Sequence, residues 1–199
     1  MTRTLGIIIL LALLAACGSS PRSNYYLLTA GVSEAPRGDS PSLGIGPIAI
    51  PEYLNRNGMV YSREGNQLRV SSTDRWAEPL ESGIKRTLAV NLASQLDTQD
   101  IRYYPWSTEN APDYGVSVSL LQLDANHQRA LIAAEWRVIQ PATGNPIARR
   151  IVTLEQPLPG GPLEVEQMAP AYSQLLAQLS RLISGAIEEH LGTGAETRE

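Results

Sequence analysis

Apolar residues stand four apart at Leu80, Ile84, Leu88, Leu92 and Leu96. That spacing puts them on one face of a helix and predicts an amphipathic helix over residues 77–96. Pro79 suits its first turn, where a missing N–H costs little, and Glu78 complements the positive end of the dipole. A second helical face, Tyr172, Leu175, Leu179, Leu182, Ile183, Ala186 and Ile187, predicts a helix over 170–191. Between the two the period changes to two. Val116, Val118 and Leu120 alternate with small polar residues, as a half-buried strand over 114–125 should. The stretches 130–140 and 147–158, joined by the turn-forming "NHQR" and "PATGNP", complete an antiparallel meander.

Shorter patterns fill the first half of the chain. "NYYLLTA" (24–30) reads as a first strand, and the Gly-, Pro- and Ser-rich 31–42 as a loop. "LGIGPIAI" (43–50) reads as a strand with an irregularity at Gly46-Pro47, since proline belongs at edges and bulges. Residues 59–72 read as a hairpin turning at Gly65-Asn66, and 101–106 as a short strand. Strands interspersed with two one-faced helices predict an α/β (α+β) fold. The expected form is a two-layer sandwich, a mostly antiparallel sheet with both main helices packed on one face. One domain over 24–191 and a flexible tail over 192–199 are expected.

The first residues follow another logic. A nearly unbroken apolar run, Leu5 to Ala16, follows Arg3 and ends at small residues, the layout of a secretory signal. It is shorter than the roughly 20 residues a spanning helix needs. "Leu14-Ala15-Ala16-Cys17" resembles the bacterial lipobox. The resemblance implies cleavage after residue 16 and a diacylglyceryl group on the Cys17 sulfur, two or more acyl chains making the anchor stable. Residues 17–23 are then a lipidated tether, extending at most about 25 Å. Gly18, rather than an aspartate, follows the cysteine, which in the enterobacterial sorting rule favours the outer membrane.

Cys17 is the lone cysteine, so lipidation leaves no thiol for a disulfide, a metal or a nucleophile. Net charge is −4, and no basic cluster exceeds Arg149-Arg150, which argues against nucleic acid as a partner. Neither histidine, His127 nor His190, has partners at metal-ligand spacing, and His190 reads as a solvated helix end. Gly44-Ile45-Gly46 lacks the third glycine and the following helix of a dinucleotide fingerprint, and no nucleophile elbow, Walker loop or zinc-protease motif occurs. No catalytic residue, metal or cofactor is expected.

Four stretches carry a family resemblance: "YYLL" (25–28), "IGPIAIPEYLNR" (45–56) followed by "MVYSR", "RWAEPLESGIKRTLAVNLASQL" (75–96) and "AAEWRV" (133–138). Together they resemble the ABC-type transport auxiliary lipoproteins, the PqiC-like group, over roughly 25–187. The 55–58 loop, Asn-Arg-Asn-Gly, departs from the expected Asp-Arg-Pro-Gln. The resemblance implies a non-catalytic subunit of an ABC/MCE-type intermembrane lipid transport system. Its partners would be an MCE-domain protein with its permease and ATPase, and it would sit lipid-anchored at the periplasmic face of the outer membrane. A homo-oligomer is compatible with this. Two alternatives stay open: a periplasmic lipid-binding carrier, and a regulator of wall or lipopolysaccharide assembly. The residues singled out for partner binding are Tyr25, Tyr26, Trp76, Glu78 and Pro79. For Trp76, Glu78 and Pro79 the competing role is shaping the helix start, and for the tyrosines it is sheet packing.

Overall fold

The computed structural model describes residues 22–31, 34–63 and 66–196. Cys17, Gly18 and the signal segment lie outside these residues, as does Gly65 of the expected turn. Along the chain run β1 (Asn24–Tyr26), β2 (Leu43–Ala49), β3 (Gly58–Ser62), β4 (Leu68–Trp76), α1 (Leu80–Gln95), β5 (Ile101–Tyr103), β6 (Tyr114–Ala125), β7 (Arg129–Gln140), β8 (Asn145–Pro157) and α2 (Met168–Glu196). They form a five-stranded sheet of order β5-β2-β6-β7-β8 and a three-stranded one of order β1-β4-β3. α1 lies against β2 and α2 against β6, β7 and β8, with the helices in mutual contact. This is the two-layer sandwich with both helices on one face.

The long β6-β7-β8 ladders are antiparallel, but β2 pairs parallel with both β5 and β6, and β1 parallel with β4. β7 shows why the layers join. Ala130, Ile132, Ala134, Trp136 and Val138 are all buried, while Glu135 and Arg137 alternate with them on the other face. There Glu135 pairs with Arg149 of β8 at 2.9 Å. The irregularity in β2 falls where the proline dictates. The β2–β6 register shifts between Ile45 and Ile48, and Gly46 takes φ +114°, open only to glycine without strain.

α1 buries Leu80, Ile84, Leu88 and Leu92, each worth about 1.5–3 kcal/mol relative to exposure. It starts at Leu80, three residues later than its periodicity predicts, because β4 runs on through Trp76 and Pro79 is the cap. α2 is longer than predicted, from Met168, itself fully buried, to Glu196, so the helix covers part of the expected tail. β1 is shorter. After Tyr26 the chain leaves the ladder and becomes a strap laid over both helices, its polar groups met by side chains. Thr29 N–H donates to Ser173 Oγ (3.0 Å), Gly31 N–H to Asn91 Oδ1 (2.9 Å) and Arg37 N–H to Asp97 Oδ1 (2.8 Å), while Ser94 Oγ donates to the Glu34 carbonyl (3.2 Å).

Candidate functional site: a docking corner beside the N-terminal segment

The five residues singled out for partner binding converge on one corner. Parallel pairing sets Tyr25 opposite Arg75 and Tyr26 opposite Trp76, and the Ala77 N–H donates to the Tyr26 carbonyl at 2.9 Å. Glu78 and Pro79 follow directly, leading into α1. The short turn Val165–Gln167 and the start of α2 close the other side, so that Tyr25, Leu27, Ala77, Glu166 and Pro170 line an open groove of about 590 Å³.

Within the corner the residues divide by depth. Tyr25, on the face of β1 turned from the core, is 65% exposed, and Leu27, just past the end of the strand, is 50% exposed. Pro79 is also exposed. Trp76 is buried, its ring centroid 6.3 Å from that of Tyr172 on α2, and supports the groove from beneath. Glu78 precedes α1, and its carboxylate folds over the first turn beside Gly83. Its Oε1 accepts from Arg86 Nε (3.2 Å) and Nη2 (2.5 Å), and the same Nη2 donates to the Leu28 carbonyl (2.8 Å). One guanidinium thereby ties the helix start to the strap.

Asp74 organises the other edge. Its carboxylate accepts from Asn24 Nδ2 (2.9 Å), Tyr26 OH (3.3 Å), Ser71 Oγ (2.7 Å) and Thr73 Oγ1 (3.1 Å). These bonds, that from Asn24 foremost, hold it below the usual carboxylate range against the opposing pull of burial. Burial, reinforced by the Asp74 charge, pushes the Tyr26 hydroxyl up. A depressed carboxylate contributes stability that is complete above about pH 3.9, its unfolded value, and fades as pH falls through the lower folded value. Acidification below about pH 4 should therefore loosen β1. Amide exchange of Ala77, corrected for its intrinsic rate, should speed up there, and Asp74→Asn should abolish that response. An Ala77 protection factor flat through the acid range would contradict this.

Asp74, Arg86 and Glu166 were not legible as parts of this corner, because they reach it from three different segments; Leu27 lies in the same stretch as Tyr25 but was not singled out. His190 also differs from expectation. It is half-buried, and its Nδ1 lies 3.0 Å from the Tyr114 hydroxyl. Among the described residues no group of three or more His, Cys, Asp or Glu side chains could hold a metal ion. Nor is any described helix long and apolar enough to cross a membrane.

With this geometry in view, the chain matches the family model of the ABC-type transport auxiliary lipoprotein component over residues 25–184. It is 26% identical over 128 residues to the intermembrane transport lipoprotein PqiC of Escherichia coli (strain K12), covering 62% of this chain and 67% of that protein. The Shigella flexneri protein of the same name gives the same figures. A crystal structure of a Xanthomonas campestris protein superimposes with a TM-score of 0.67 at 15% identity, covering 88% of this chain and 99% of that one. An uncharacterized protein's crystal structure gives 0.66 at 22% identity, covering 84% and 99%. These two likenesses concern the fold.

Proposed function

The chain belongs to the family of ABC-type transport auxiliary lipoprotein components, and from that premise we propose that it is a non-catalytic, lipid-anchored accessory subunit of an ABC/MCE-type intermembrane lipid transport system. Cys17 carries the anchor, and Gly18 directs it to the periplasmic face of the outer membrane. The partner is an MCE-domain protein, in company with its permease and ATPase. The observation that carries this reading is the corner itself. An apolar groove with Tyr25 and Leu27 exposed begins eight residues after Cys17 in the sequence. Aromatic side chains in such a position make interface anchors, since their area is large and few rotamers are lost. The transport role named in the E. coli relative supports the same direction.

Crosslinking in intact envelopes with the lipidated protein should recover an MCE-domain protein. The pair Tyr25→Ala and Leu27→Ala, which removes exposed side chains and leaves the core alone, should cut that recovery about tenfold. Cys17→Ser should move the protein from the membrane fraction to the soluble one. Envelopes in which no MCE-domain protein is ever captured would overturn the reading.

A further inference from the structure

A second groove, sharing no residue with the docking corner, lies between β8 and α2 and encloses about 690 Å³. That volume falls within the roughly 300–1,000 Å³ of small-molecule sites. Trp136 of β7 contributes to its lining from the sheet, buried to 4% exposure, and its indole N–H has no acceptor among the described residues. Arg150 stands opposite it across the β7–β8 ladder. Val152 continues the same side of β8, and Leu182 and Ala186 of α2 form the facing wall. Between them Gly185 leaves the wall open, with no atom within 4 Å of where its Cβ would stand. Glycine is a poor helix residue, and here its missing side chain is what gives the groove depth.

The lining mixes hydrocarbon with unneutralised positive charge. Arg150 and Arg181 border the groove, and neither is among the five ion pairs of the described residues. Arg150 Nη1 donates only to the Arg149 carbonyl, at 2.9 Å. Among the described lining residues the one carboxylate is Glu189, and His190 beside it is engaged with Tyr114. Neither wall offers backbone groups to a peptide lying in the groove. The main chain of α2 is bonded internally, and the free backbone groups of β8 lie in the plane of the sheet, not over its face.

We propose that this groove binds a single acyl chain carrying an anionic head group, the chain along Trp136, Val152, Leu182 and Ala186 and the head on the Arg150 and Arg181 guanidinium groups. The proposal does not rest on the docking reading. It gives the subunit a lipid site of its own, in addition to any anchor.

The test uses the lipidated full-length protein in phosphatidylcholine nanodiscs, with diazirine-labelled palmitate as probe at a pH where it is ionised. Crosslinks should map to residues 145–157 and 181–193 and be competed by unlabelled palmitate, with hexadecanol competing about tenfold less well. Gly185→Phe, which fills the groove, and Arg181→Glu, which reverses a charge at an exposed position, should each lower labelling about tenfold. Circular dichroism verifies folding, and should Gly185→Phe fail to fold, Arg181→Glu decides. Labelling outside these two segments and the facing Trp136, or unchanged in folded Arg181→Glu, would overturn the proposal. So would equal competition by hexadecanol, by inorganic phosphate (an anion patch) or by an acidic helical peptide (a protein site).

Discussion

Trp76→Ala is expected to lower the melting temperature by roughly 6–20 °C. Removing a buried tryptophan costs about 3–5 kcal/mol in lost transfer energy and cavity, and each kcal/mol shifts a domain of this size by about 2–4 °C. The site gives little room for collapse, since the indole sits where β1, β4 and α2 meet, against Tyr172, which is itself 1% exposed. Trp76→Phe keeps an aromatic ring on Tyr172 and should recover much of the loss. Scanning calorimetry on the pair, alongside envelope crosslinking, separates two roles for this residue. A support residue loses stability first and docking only as a consequence. A Trp76→Ala protein with an unchanged melting temperature and abolished crosslinking would make Trp76 a contact residue instead.

The second large effect is expected at Arg86. Its guanidinium serves two acceptors from different segments, the Glu78 carboxylate and the Leu28 carbonyl, and Arg86→Ala leaves both unmet. The pair is partly exposed, with 43% and 30% of the side chains accessible, so solvent screens part of the attraction. Counting the ion pair as a surface one and the carbonyl bond as a partly buried one gives about 1–2 kcal/mol. Arg86→Lys should not restore it, because a single ammonium cannot hold two acceptors in the fork that a guanidinium provides. A double-mutant cycle with Glu78→Ala should return a coupling of about 0.5–1 kcal/mol. Strict additivity of the two would mean that the ion pair contributes nothing.

What could be read from the chain alone follows from how local each feature is. The α1 face at Leu80, Ile84, Leu88 and Leu92 and the limits of β6 at Tyr114 and Ala125 were legible, because each depends on one segment having one buried face. Leu182 was assigned to the buried face of the last helix and is 43% exposed. Periodicity locates a face to within a residue or so, and Leu182 falls on its border, at the groove. The parallel pairings of β1 with β4 and of β2 with β6 were not legible, since their partners lie far apart in sequence and alternation carries no direction. Glu78 was legible at the helix start, whereas its pairing with Arg86, whose guanidinium also holds the Leu28 carbonyl, was not. Tyr25 and Tyr26 came closest among the site residues. Alternation required one to face outward, and it is Tyr25, whereas the groove they border needed Glu166 and Pro170 from the opposite end of the chain.

The way β1 enters the domain has a mechanical consequence. Any pull on the segment ahead of Arg22 reaches the body first at Asn24, Tyr25 and Tyr26, which lie side-on against Asp74, Arg75 and Trp76. A force directed along β1 loads those rungs together in shear, so they do not peel apart one after another. What passes beyond them meets the strap, where Leu28, Thr29 and Gly31 are fastened to Arg86, Ser173 and Asn91 on two different helices. Tension from the N-terminal side is thus spread over both helices within eight residues of Asn24.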